Sequence, residues 1–356
     1  MPLIDENHLP KDWLINDLFW QYFEHNSIGD IVDKFGHYWV IFDEDHFSMW
    51  LRYFESFIGT PIGRIIHNSA TDCAEIILSD INLMKIRFFA KKKFSNLISQ
   101  RWGFFGWGRP CFKKNQVTTT VFASVSAGFF LASKEILDKC RYKIQWSQKS
   151  DVNIDFIISN GNNDMPIPQE IDLLPWHKKT SQKNKNSVNL YSLEKRDIGW
   201  SIDGKAKFVI PIELINRIIF NASGYAKSLH SDVANRWILT GFQSKYSNSL
   251  ICALEASKKV FLHGDDYIYL SDDNDWYSIT NKHLNLLGLS SIIDVQISQN
   301  KTYFSMSVSE TFALSVGKLV GLWERAYGKV AKCKIEFMQD KIHLELSSFL
   351  EYNHYS

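Results

Sequence analysis

Cysteine is scarce in this chain of 356 residues. Cys73, Cys111, Cys140, Cys252 and Cys333 are odd in number and far apart, with no CxxC and no Cys/His pair at metal spacing. That argues against both a disulfide framework and a zinc site, and predicts five free thiols, with Cys140 buried on a helical stripe beside Ile136 and Leu137. Net charge is nearly absent too. Forty Lys and Arg face 39 Asp and Glu, leaving +1, so no global polyelectrolyte partner is implied. No apolar run is long enough to cross a bilayer, so a membrane-spanning role is not expected. The start Met1-Pro2-Leu3-Ile4-Asp5-Glu6 has neither the basic residues nor the apolar run of a signal peptide, and a cytoplasmic location is expected.

Catalytic signatures are missing as well. There is no G-x-S-x-G elbow, and Gly103, Gly106 and Gly108 read G-x-x-G-x-G behind a helix, the reverse of dinucleotide spacing. The acidic loop around His263 to Asp275 fails as a calcium loop. Counting from Asp273 puts Ser278 where glycine is needed and Leu284 where a bidentate Glu is needed. No catalytic residue, metal ligand or cofactor follows from these patterns.

Aromatics are abundant: 14 % of the chain, with 12 Trp and 25 Phe. Such side chains build thick cores or line a pocket. Trp102, Phe105, Trp107, Phe129 and Trp323 are the candidate ligand-lining residues.

Periodicity predicts an amphipathic helix over 11–35, a strand over 37–42, and helices through Met49–Phe54 and over 62–78 on either side of Gly59-Thr60-Pro61. A strand over 84–89 and a helix over 94–102, ended by Gly103, come next. Strand-like residues over 111–123 turn at Lys113–Gln116, Gly128 opens a helix, and strands over 142–146 and 152–158 turn at 147–150. The 159–203 stretch is rich in Asn, Lys and Ser and reads as a linker.

The same order then recurs. A strand over 205–210 leads through Pro211 into a helix, strands over 292–297 and 302–308 precede a helix reaching Val330, and a last hairpin spans 333–337 and 342–346. Lys143-Ile144-Gln145-Trp146 echoes Lys334-Ile335-Glu336-Phe337, and Arg64-Ile65-Ile66-His67 echoes Arg217-Ile218-Ile219-Phe220. The latter echo matches His67 with Phe220, which favours packing over catalysis there. The expected fold is α/β of the α+β type: two tandem repeats, each an antiparallel sheet with helices on one face. The segments are an acidic arm (1–35), a first repeat (36–158), the linker (159–203), a second repeat (204–347) and a tail (348–356).

Gly288, the following hairpin, the helix Val316-Gly317-Lys318-Leu319-Val320-Gly321-Leu322-Trp323 and the closing strands resemble the 4-vinyl reductase domain family. The stretch from Gly36 to Leu78 resembles that family's N-terminal half. The resemblance covers about 36–158 and 204–347 and implies a small-molecule-binding module, related in fold to TRAPP vesicle-tethering subunits. The family often carries cysteines in the terminal hairpin that are thought to bind metal. Residues 146–158 and 337–346 have none, so the resemblance brings no metal site with it.

The expected function is therefore non-catalytic: binding of an apolar small molecule, or assembly with a protein partner or a second copy. An enzyme of unknown reaction is one alternative. Another is binding of nucleic acid or an anionic membrane surface through 85–114, which holds Lys91, Lys92, Lys93, Arg101 and Arg109 and no acidic residue. The acidic arm, with apolar Trp13, Leu14, Leu18 and Phe19, is expected to dock on that segment and disfavour nucleic acid. Full-length protein should then bind single-stranded DNA weakly. Deleting residues 1–35 should raise binding, with a steep loss on adding salt; tight, salt-sensitive binding by the intact chain would contradict the docking.

Overall fold

Tyr38–Asp43 and Lys205–Pro211 carry apolar residues on both faces, the pattern of strands covered on two sides. In the computed structural model they are β3 and β10, paired antiparallel at the middle of a six-stranded sheet. Residues 18–79, 91–161, 168, 174, 176, 193–241, 245–298, 300–338 and 340–350 are described. The central sheet runs β1 (Phe23–His25), β2 (Ile31–Asp33), β3, β10, β9 (Trp200–Ile202) and β8 (Glu194–Lys195). It thus joins strands of the arm and both halves, and β8 and β9 fall inside the expected linker.

Helix α1 (Glu44–Ile58) leaves β3 directly, with Glu44 and Asp45 favourably placed in its first turn, and stops at Gly59 in the left-handed region (φ 77°). Helix α2 (Gly63–Ser79) follows, then α3 (Lys91–Phe105), the hairpin β4 (Arg109–Cys111) and β5 (Gln116–Thr118), helix α4 (Ala123–Asp138) and the hairpin β6 (Tyr142–Ser150) and β7 (Asn153–Asn160). After β10 come α5 (Ile212–Ala222), the short α6 (Ser231–Ala234), β11 (Trp237–Thr240), α7 (Ser247–His263) and α8 (Asp275–His283). A hairpin of β12 (Ile292–Ser298) and β13 (Lys301–Ser307), helix α9 (Phe312–Tyr327) and the hairpin β14 (Ala331–Phe337) and β15 (Lys341–Ser348) complete the chain.

The α+β class and the antiparallel sheets are as the sequence implies. The outer sheets order their strands alike, β4-β5-β7-β6 and β12-β13-β15-β14, and β11 adds a parallel strand on β14. Helices α4 and α9 correspond closely. Each is followed by a left-handed cap, Lys139 (φ 56°) and Gly328 (φ 65°). Glu135 accepts the Tyr142 backbone N–H at 2.8 Å, and Glu324 accepts that of Ala331 at 3.0 Å. Gly128 and Gly317, each the sixth residue of its helix, lie against α2 and α7 respectively. By this correspondence His67 matches Leu254, because Gly128 faces the His67 carbonyl and Gly317 that of Leu254. The Arg64/Arg217 echo does not follow these glycine contacts. His67 stacks on Trp146 with ring centres 5.1 Å apart.

The halves are interleaved. Helix α1 packs on α7 of the other half, and α5 packs on α2. Trp50 Nε1 donates to Ser257 Oγ at 2.9 Å across the first contact, and Asn221 Nδ2 to Ser69 Oγ at 2.9 Å across the second.

Several local expectations are corrected. The helix over 11–35 gives way after Tyr22 to β1 and β2, because Asn26 Oδ1 accepts the backbone N–H groups of Ile28 and Asp30 and makes a turn. Residues 1–17 and the strand over 84–89 lie outside the described residues. Helix α3 passes Gly103 and ends before Gly106 (φ 83°), β6 runs to Ser150 so that its turn falls later, and Pro211 closes β10 rather than sitting inside α5. The last helix ends at Tyr327, not Val330. All five thiols are free, but Cys140 is only half-buried because the chain has left the helix after Lys139, and Cys111 is exposed.

Gly128 does not open its helix. A Cβ there would stand 2.5 Å from the His67 carbonyl oxygen and 2.7 Å from Ala70 Cβ, so the residue sits where α4 crosses α2. Gly317 would meet Leu254 O at 2.4 Å and Ser257 Cβ at 2.5 Å. Gly103, also helical, has open space beside it apart from one atom at 3.9 Å. Gly→Ala normally stabilises a helix by about 1 kcal/mol, and overpacking costs about 1–3 kcal/mol. Gly103→Ala should therefore raise stability in denaturant titration, while Gly128→Ala and Gly317→Ala lower it.

Candidate functional site

Four of the five candidate aromatics meet, but in a closed core. Trp102, Phe105, Trp107 and Phe129 are each fully buried. Trp107 lies 4.0 Å from Phe129 and 4.9 Å from Phe105 between ring centres, and Trp39 lies 4.6 Å from Phe105. Their polar ends are satisfied: Trp107 Nε1 donates to Val209 O at 2.8 Å and Trp102 Nε1 to Ser133 Oγ at 3.1 Å. Trp323 lies in the other half, donating to Thr302 Oγ1 at 2.9 Å. None of the five lines the apolar cleft described below.

Two cations of the basic segment are paired locally. Lys91 pairs with Asp138 at 2.6 Å and Arg109 with Asp197 at 2.9 Å, while Arg101 covers the Tyr22 ring at 4.6 Å. Lys92 and Lys93 are exposed. The described part of the arm does dock, through Phe19 on Trp200, Tyr22 on Phe104 and Phe23 on Trp39. Its contacts there are aromatic, and the carboxylates that meet Lys91 and Arg109 come from α4 and the loop before β9.

The cleft lies at the opposite end of the β3–β10 pair, with a volume of about 230 Å³. Its apolar walls are Val40 and Ile41 from β3, Trp50 from α1, Val260 and Phe261 from α7, and Leu314 from α9. Leu286, Leu287 and Leu289 close the side beyond α8. Both halves contribute, since β3 and α1 bring one wall and the second half the rest.

Polar groups converge at one place in these walls. Lys207 of β10 sits opposite Asp43 of β3 in the strand register and pairs with its carboxylate, which His46 Nδ1 also meets at 3.2 Å. Burial alone would raise the Asp43 carboxyl, but His46 and Lys207 outweigh it and hold it well below the ordinary carboxylate range. Lys318, one turn along α9 from Leu314, extends into the same cleft. Its ammonium makes no hydrogen bond or ion pair among the described residues. Burial brings it down to about 8 despite the attraction of Asp43 and Asp266, with Lys207 pushing the same way as burial. Asp203, Lys205, Asp266 and Lys282 are exposed at the rim.

The corresponding end of the other half is apolar. Lys318 and Phe129 are each the seventh residue of their helix. The strand pair Asp43/Lys207 has Pro211/Trp39 as its counterpart about the middle of the β3–β10 ladder. Where one end is plugged by Trp39, Trp107 and Phe129, the other is open and carries Asp43, Lys207 and Lys318. The sequence reading missed all three. The available signal was a lone lysine inside the apolar run Val316–Trp323, at the position where the other helix has Phe129.

Comparison with protein-family models, curated proteins and solved structures finds no match. Among the described residues no group of three or more His, Cys, Asp or Glu could hold a metal ion, and no helix is long and apolar enough to cross a membrane.

His283 lines the cleft and is lowered to about 4, by burial first and by the charge of Lys318 second. It folds neutral, so its contribution to stability is present above about pH 6.5 and is lost as pH falls towards 4. The full effect is at most about 3 kcal/mol, and solvent at the cleft mouth screens part of it. His283→Gln should flatten the pH dependence of unfolding free energy between pH 6.5 and 4.5, measured by urea titration; an unchanged slope would contradict the assignment.

Proposed function

We propose that this chain is a binding module for a small, mainly apolar molecule, held in the cleft between the central sheet and α7 and α9. The observation that carries this reading is the cleft itself: apolar walls with a few polar groups converging at one end, the usual make-up of a small-molecule site. The contrast between the two ends of the β3–β10 pair supports it, since the same architecture fills one end with aromatic rings and leaves the other open. On this reading the two halves are diverged copies of a unit resembling the 4-vinyl reductase domain, and the pocket lies at the open end of the strand pair that joins them. The proposal includes a cytoplasmic setting.

The test uses N-phenyl-1-naphthylamine, a neutral apolar fluorophore. Wild-type protein should enhance its fluorescence with saturation at one site per chain. Leu314→Trp, which places a larger ring in the wall, should weaken binding by about tenfold or more, a loss of about 1.4 kcal/mol. Folding of the variant is checked by circular dichroism. Saturable binding of equal strength by a folded Leu314→Trp would place the probe elsewhere and refute the reading.

A further inference from the structure

We propose that Lys318 captures an apolar aldehyde or ketone in the cleft as an imine. The inference rests on the cleft being a small-molecule site and names the chemical class it takes.

Three observations meet at this residue. The first is placement: Lys318 lines the cleft one turn from Leu314, so a molecule lying along the apolar wall presents its end to the amine. The second is isolation. A lysine drawn into a structure to stabilise it is normally paired, as Lys258 is here with Glu255 at 3.0 Å and Glu324 at 3.1 Å. Lys318 has no such partner among the described residues, and Asp43, the carboxylate across the cleft, is already committed to Lys207 and His46. The third is the corresponding position on α4, where Phe129 packs against Trp107. The architecture accepts an apolar residue there, so packing does not require a lysine.

An amine kept desolvated and near a second cation holds a larger neutral fraction at neutral pH, which is the state that attacks a carbonyl carbon. Burial and Lys207 supply both conditions at Lys318. The Nζ lone pair adds to the carbonyl carbon and gives a carbinolamine, which loses water to leave the C=N bond. The water takes its oxygen from the carbonyl and both hydrogens from the amine, so nothing is oxidised or reduced. The apolar walls hold the tail and limit access of the water that would reverse the step.

The experiment treats full-length protein with octanal and sodium cyanoborohydride, which fixes an imine as a secondary amine, and maps the modified lysines by peptide mass spectrometry. Modification should concentrate on Lys318, at least about tenfold over exposed Lys92 and Lys93, because a desolvated amine near a second cation is the better nucleophile. Lys318→Arg keeps the charge and should abolish the preferred adduct, with its folding checked by circular dichroism. Even labelling across surface lysines, or an unchanged adduct profile in Lys318→Arg, overturns the inference. Probe binding without preferred labelling of Lys318 overturns the imine alone and leaves the binding module standing. Preferred labelling without probe binding upholds the reactive amine and overturns the apolar-ligand reading instead.

Discussion

Five residue pairs along β3 and β10, from Lys207 opposite Asp43 to Pro211 opposite Trp39, bind the first half of the chain to the second. Val40, Ile41, Phe208, Val209 and Ile210 are all buried on this ladder, and full burial of such side chains is worth about 1.5–3 kcal/mol each. Because each strand leads straight into its helix, the pairing also decides where α1 and α5 start. Each then crosses to the opposite half, α1 onto α7 and α5 onto α2. The interleaving makes the halves mutually dependent, and neither could bury its first helix alone.

The same ladder gives the cleft its chemistry. Antiparallel pairing brings residues near one strand's end opposite residues near the other strand's start, so the two ends of the ladder are independent environments. At one end Trp39 joins Phe105 and Trp107 in a packed core. At the other, Asp43 and Lys207 face each other beside an open space, and α9 adds Lys318. Asp30, fully buried, accepts hydrogen bonds from Ser309 Oγ at 2.8 Å and Thr311 Oγ1 at 3.2 Å and ties the β1–β2 turn to the start of α9. Burial still raises it to about 6, so its ionisation costs stability as pH rises from about 4 through 6.

Much of the architecture was legible because it is local. The left-handed glycine after α1, the paired hairpins and the apolar stripes of α4 and α9 each leave a mark within a few residues. Gly128 was misread because a glycine at a helix crossing and a glycine at a helix end look alike in sequence; only the approach of α2 separates them. The turn at Asn26 was hidden by aromatic residues at helical spacing on its N-terminal side. The echo between Arg64 and Arg217 does not follow the glycine contacts, which set Gly128 against α2 and Gly317 against α7. The site was the least legible part. Its walls come from β3, α1, β10, α7, the α8 region and α9, and four of the five aromatics singled out for a pocket proved to be the filling of the closed end.

The central claim is that Lys318 is a desolvated amine in the cleft with no ion pair among the described residues, and its own titration tests that most directly. In protein carrying isotope-labelled lysine, the Lys318 side-chain resonance, assigned by its loss in Lys318→Arg, can be followed by NMR across pH. The structure predicts a midpoint of about 8 in the ligand-free chain. A midpoint near 10.4, the ordinary value for an exposed lysine, would contradict it.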